Sequence, residues 1–322
     1  MKLFLHIGYS KTGTTFLQKE FFPRLKQVNY LGKYYKKNSK KNLIIKKLLH
    51  EILLLSNKEF DLKINQLKDK INLLDFHKKK PNLISNEAIL TGIISGSYKE
   101  AEIKRTIKRL KLITREKNIE IYIMIVIRNH YDLILSLYNA LNVKFRLNFN
   151  KPLFYKNFNY VIKKNKSVLN ILKFHRIYHE ILKLVGKNKC KVFFYEEIFS
   201  NHKNFKRDFF NYLGLNKNIS KINFNKKINV TSQKEIKKFN ILFDYLSSVP
   251  KKILENSIFL WPKIFFNLLI IIFNLLLNKN LIFTKLDIKH QKKAINKYFK
   301  QDLNSFKNKA IKNKLIKYKY LS

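Results

Sequence analysis

The stretch Leu3-Phe4-Leu5-His6-Ile7 runs apolar into Gly8, and Tyr9-Ser10-Lys11-Thr12-Gly13-Thr14-Thr15 follows without a break. A strand that enters a glycine-and-hydroxyl turn and opens a helix is the first half of a βαβ unit, which commits the chain to a parallel sheet. Gly8 and Gly13 have the spacing of the two glycines in a GxxxxGK[ST] loop. Thr14, however, stands where that loop carries its lysine, and the lysine of this turn is Lys11, in the crown. A cation would therefore approach a bound anion from the loop and not from the helix start. The glycines are expected to free the backbone for close approach of amide N–H groups, with Thr12, Thr14 and Thr15 adding hydroxyl donors and the helix dipole its positive end.

The rest of the chain alternates in the same way. Lys2–Gly8 reads as the first strand and Thr14 to about Leu25 as the helix after it. Helical spacing recurs over 43–55 and 60–74, a short strand follows Pro81 over 82–85, and a basic helix spans 99–117. The run Glu120–Ile127 is nearly all apolar after its glutamate, as suits a parallel strand buried on both faces. Helices over 132–141 and 168–185 and a strand over 191–195 complete the pattern. The expected fold is α/β: a three-layer α/β/α arrangement of the P-loop NTPase kind, with a central parallel sheet and a helical C-terminal extension. The division expected from sequence is a nucleotide-binding domain over 1–250 and an extension over 251–322, apolar and then lysine-rich, packed on the same domain.

Composition narrows the partners less than it first suggests. The formal net charge of +46 would ordinarily direct attention to nucleic acid or an anionic membrane. Here lysine is spread along the whole chain together with asparagine and isoleucine, as a genome rich in A and T would encode, and no helix-turn-helix, zinc-finger or RNA-binding signature accompanies it. No specific nucleic-acid partner is expected. Cys190 is the sole cysteine, which excludes an intrachain disulfide, and the eight histidines show no HExxH motif, so no metal is expected. The apolar run before Tyr9 is too short for a signal-peptide core, and a cytoplasmic location is expected.

In parallel sheets ligands bind beyond the carboxyl ends of the strands. Those ends carry Lys11 after the first strand, Glu87 after the 82–85 strand and Arg128 after the 120–127 strand. Asp132 would cap or open the helix after Arg128, and Ser136 would lie about one turn into it, on the pocket side. An arginine fork with a nearby hydroxyl makes a second anion site beside the first.

At this point the chain resembles the sulfotransferases that take their sulfuryl group from 3'-phosphoadenosine 5'-phosphosulfate (PAPS), in particular bacterial members that act on carbohydrates. His6 to Thr15, with Phe16-Leu17-Gln18 following, is similar to the 5'-phosphosulfate loop of that family, and Arg128 to Ser136 to its 3'-phosphate motif. Asn82-Leu-Ile-Ser-Asn-Glu87 resembles the short strand ending in an acid, Phe193–Ile198 the "YEDL" strand end, Phe209–Leu215 the helix and "LGL" turn, and Asn229–Glu235 the segment that closes over the nucleotide. Order and spacing agree to about residue 245. The proline common after Arg-Asn is His130 here, and the closing segment offers Lys226 and Lys227 where an arginine is usual.

The resemblance implies PAPS as donor, no metal, and in-line transfer of a sulfuryl group to a hydroxyl, expected on a carbohydrate or surface glycan. It implies that Lys11 stabilises the bridging oxygen of the leaving nucleotide. Ser10, Lys11, Thr12, Gly13, Thr14 and Thr15 would hold the 5' phosphosulfate, and Arg128 and Ser136 the 3' phosphate. Glu87 is the expected general base, with His6 a weaker candidate because a mid-strand position points it into packing. A P-loop kinase would want lysine at position 14 and a magnesium-binding acid. A non-catalytic membrane- or polyanion-binding protein would leave the strand-end residues unexplained. The segment 257–283 holds an apolar run broken by Asn267 and Asn274, shorter than the roughly 20 residues of a bilayer span, and reads as a packing helix, with peripheral membrane contact as the alternative.

Overall fold

The computed structural model describes residues 1–32, 40–91, 103–140, 166–215, 224 and 285–321. The chain separates into two compact units, one comprising 1–137, 166–228 and 296–322 and the other 138–165 and 229–295. In the second unit the described residues are the last turn of one helix, Tyr138 to Ala140, and the first half of another, from Lys285. The expectations placed on 99–102, Leu141, Lys226–Lys227, 229–235 and 257–283 lie outside the described residues.

In the first unit, β1 (Lys2–His6) leads through the loop 7–13 to α1 (Thr14–Phe16), which passes into a π-helical turn (Leu17–Phe21) and a 3-10 turn (Phe22–Arg24). Then come β2 (Asn29–Tyr30), α2 (Lys40–Leu54), α3 (Asn57–Asn72), β3 (Asn82–Ser85), α4 (Ala88–Thr91), α5 (Ile103–Thr114), β4 (Glu120–Ile127) and α6 (His130–Ala140). After 141–165 follow α7 (Lys166–Ile171), α8 (Phe174–Val185), β5 (Cys190–Phe194), α9 (Tyr195–Ser200) and α10 (His202–Leu213), and after 216–284 come α11 (Lys285–Asn304) and α12 (Lys309–Lys317).

The fold is α/β, with one parallel five-stranded sheet in the order β2-β3-β1-β4-β5 and helices on both faces. The central strands are apolar along their length, as strands covered on both sides must be. On one face Phe4, Met124, Val126 and Phe193 meet an aromatic layer from α1, from the turns after it and from α10, including Phe16, Phe21, Phe22, Phe205, Phe209 and Phe210. On the other face α8 lies against β4 and β5 and packs on α5, which in turn contacts α2 and α3. β1 sits between β3 and β4, the place where the chain reverses its direction of travel across the sheet and where a crevice opens in such folds.

Several element boundaries differ from the sequence expectation for local reasons. The ladder of β1 ends at His6, although the Ile7 amide still donates to the Met124 carbonyl at 2.9 Å. The helix expected over 14–25 is α-helical for three residues only, then widens and tightens in turn. The helix expected over 168–185 is two helices. Lys173 adopts an extended backbone (ψ 93°) between them, and His130 Nε2 lies 2.8 Å from the Leu172 carbonyl, a tertiary contact that holds the break. The lysine-rich C-terminal stretch is likewise two helices, α12 being capped by Asn308, whose side chain accepts from the Ile311 amide.

Candidate functional site

Register brings the strand-end residues together. His6 pairs with Ser85 across β1 and β3 and with Met124 across β1 and β4, so the loop after β1 is flanked by the residues that follow both neighbours. Glu87 stands on the β3 side and Arg128 on the β4 side.

The loop is held mainly from within. Thr12 is fully buried, and both its amide, at 3.2 Å, and its hydroxyl, at 2.5 Å, donate to the Tyr9 carbonyl. Its donors therefore close the turn and are not turned outward. Thr14 is also buried, with its methyl group under Gly8; Ser10, Gly13 and Thr15 are half-buried at the loop surface. Gly13 takes a left-handed backbone (φ 79°) immediately before α1, where a β-carbon would lie 2.9 Å from the Phe199 ring. Gly8 has no such angle. Its requirement is space, since a β-carbon there would lie 2.8 Å from His6 Nε2.

Lys11 is the unexpected member of the loop. It adopts φ 70°, a conformation costly to a residue with a β-carbon, and its side chain is exposed at the crown. Arg128 Nη1 donates to the Lys11 carbonyl at 2.9 Å, and the Arg128 guanidinium lies 4.3 Å from the centre of the Tyr195 ring. The crown is thus tied to the end of β4, and the arginine is fixed by stacking. Partial desolvation, and then the nearby Arg128 charge, pull the Lys11 ammonium below the ordinary lysine range. Among the described residues, the buried side-chain nitrogens without a hydrogen-bond partner are His6 Nε2 and Arg128 Nε. His6 Nε2 lies beneath Gly8, and Arg128 bonds the Lys11 carbonyl, so both border this loop. Unpaired buried polar groups are rare and costly, so each calls for a physical reason.

The β3 side is acidic and linked through polar contacts. Gln18, in the π-turn and almost wholly buried, donates through Nε2 to Glu87 Oε2 at 2.8 Å and to Ser85 Oγ at 2.9 Å. Ser85 Oγ in turn lies 2.7 Å from His6 Nδ1. Ser85 Oγ thus joins the Gln18 amide to the His6 ring, whose Nε2 faces Gly8. Burial lowers the His6 pKa to about 4, against a smaller opposing effect of Glu87, so the ring is neutral at pH 7.

On the β4 side, Asn129 opens α6: its side-chain oxygen accepts from the Tyr131 amide, so Asp132 lies within the first turn and is not the cap. Ser136 is half-buried, nearly two turns into α6. Glu196 accepts from the Asn129 amide at 2.9 Å and from the Tyr320 hydroxyl at 2.7 Å, while the Asn129 side chain donates to the Lys319 carbonyl. The residues after α12 therefore brace the corner that presents Arg128. The sequence reading gives no role to Gln18, Ser85, Tyr195 or Glu196. Gln18 and Ser85 were visible in the motif stretches, but their partners come from the π-turn and from strand register. Among the described residues no group of three or more His, Cys, Asp or Glu could hold a metal ion, and no helix is long and apolar enough to cross a membrane. A cavity of about 740 Å³ opens at the opposite, amino edge of β4, lined by Lys108, Lys111, Arg115 and Lys189 among others, away from the strand-end residues.

No protein-family model matches the chain, and no curated protein does. Among solved structures it is similar to a sulfotransferase from Alicyclobacillus acidocaldarius, at 14% identity over 74% of this chain and 90% of that one, with a TM-score of 0.42.

Proposed function

We propose that this protein is a PAPS-dependent sulfotransferase. The observation that carries the reading is the pairing of Lys11 with Arg128 at the switch point of the sheet. Two cations are held within interaction range of each other, one on a strained backbone and the other with a buried nitrogen still unpaired. That arrangement costs free energy until an anion enters it, and an anion with two separated phosphate-type groups fits both.

In this reading the surface of the loop, with Ser10, Lys11, Gly13, Thr14 and Thr15, takes the 5' phosphosulfate, and Thr12 shapes the loop from beneath. Arg128 and Ser136 take the 3' phosphate. The acceptor oxygen forms a bond to sulfur as the bond from sulfur to the bridging oxygen breaks. Lys11 stabilises the negative charge that collects on that bridging oxygen as 3'-phosphoadenosine 5'-phosphate (PAP) leaves, and the acceptor proton passes to the Glu87 carboxylate. His6 is unsuited to that last task, being buried beneath Gly8. The acceptor we propose is a hydroxyl on a carbohydrate or surface glycan. The test is transfer of radiolabelled sulfur from PAPS to a glycan pool. Labelling is expected from the wild type, and Lys11→Ala should lower it by about a hundredfold or more, the effect of losing one positioned charge donor. Undiminished labelling by Lys11→Ala would overturn the assignment.

A further inference from the structure

The contact between Gln18 and Glu87 extends this reading, and the inference rests on it. We propose that Gln18 is a positioning residue, whose amide fixes the Glu87 carboxylate in the orientation in which it accepts the acceptor's proton.

Gln18 is 1% exposed, so it cannot itself touch an acceptor, and its Nε2 group is committed in two directions, to Glu87 Oε2 and to Ser85 Oγ. Two donors on one planar nitrogen hold two acceptors at a fixed angle. Ser85 is set by the β1–β3 register and by His6, and Gln18 transmits that rigid reference to the carboxylate, which follows the end of β3. The origin of Gln18 supports a dedicated role. The helix after the loop departs from α geometry at Leu17 and runs as a π-turn to Phe21, an irregularity that is rare and concentrates at functional sites. A glutamine buried for packing alone would not need both donors on the strand end and on the proposed base that follows it. Charge adds to the effect, since an amide donor to a carboxylate favours its ionised, proton-accepting form.

The test compares Gln18→Met, similar in length but without donors, with Glu87→Gln and with the double variant. Turnover is read as PAP released from PAPS, and PAP affinity is read separately. Gln18→Met is expected to lower kcat by about 10- to 100-fold, the scale of a displaced catalytic group, with PAP affinity held within about twofold. In the Glu87→Gln background the same change should have no further effect, because its action passes through the carboxylate. Ser85→Ala, which removes the rigid reference but leaves the Gln18 amide in place, should lower kcat by a smaller factor, and it serves in place of Gln18→Met should that variant not fold. Wild-type kcat in Gln18→Met, or in Ser85→Ala when that stands in its place, would overturn the proposal and leave the sulfotransferase reading intact. So would a loss that persists in full in the double variant. Absence of PAP binding and of PAPS turnover in the wild type would overturn the reading itself, and the proposal with it.

Discussion

Replacing Lys11 by glycine and, separately, by alanine isolates the backbone strain at the loop crown. Lys11 sits at φ 70°, and the left-handed conformation costs a residue bearing a β-carbon about 1–2 kcal/mol. Glycine escapes that cost but loses about 0.5–1 kcal/mol more conformational entropy on folding than alanine does. The two estimates leave Lys11→Gly more stable than Lys11→Ala by about 0–1.5 kcal/mol, centred on about 0.75 kcal/mol. Both variants remove the ammonium, so relief of its repulsion with Arg128 cancels in the comparison. Guanidinium denaturation of the two proteins side by side reads the difference, and turnover should be lost equally from both. Equal loss of turnover from both variants would mean that activity depends on the ammonium and not on relief of the backbone strain. Alanine more stable than glycine would refute the argument and return Lys11 to an ordinary turn position.

Further perturbations test other parts of the structure. Gly13→Ala meets both a left-handed backbone and the Phe199 ring 2.9 Å away, and should cost about 2–4 kcal/mol in the same denaturation assay; a loss below 1 kcal/mol, on that order-of-magnitude scale, would mean the ring moves aside freely. Acid should weaken the fold through two buried histidines, since burial lowers His6 to about 4 and His130 to about 3 from an ordinary 6.5. Folded pKa values below the unfolded one mean that the unfolded chain binds more protons. Stability is therefore full above pH 6.5 and falls as pH drops toward each folded value, by about 2 kcal/mol per histidine at pH 5. A stability profile flat between pH 7 and 5 would contradict this. Glu87→Gln should lower turnover by about a hundredfold while PAP affinity stays near wild type; weakened PAP binding would make Glu87 a structural acid.

The strands at the heart of the sheet were legible because burial on both faces leaves an unbroken apolar signature. β3 and β4 have the bounds expected from Asn82–Ser85 and Glu120–Ile127. β2 was not legible, since two residues make no pattern, and its place is set by tertiary bonds such as Asn29 to Asn82. The π-turn after α1 was hidden because Leu17, Phe21 and Phe22 satisfy a helical period whether the turn is α or π. Lys11, Glu87 and Arg128 could be named from strand ends alone. Their supports could not, because Gln18 reaches Glu87 across 69 positions and Tyr320 reaches Glu196 across 124. Thr12 shows the converse: sequence supplied a hydroxyl, and only geometry showed that it is spent on the Tyr9 carbonyl.

The central claim, that Lys11 and Arg128 together hold a nucleotide phosphorylated at both its 5' and 3' positions, is tested most directly by calorimetric titration with PAP, with ADP and ATP alongside. Micromolar binding of PAP, clear preference over ADP, and loss of that preference in Arg128→Ala are expected. Equal or tighter binding of ATP, or a PAP preference that survives Arg128→Ala, would contradict the claim.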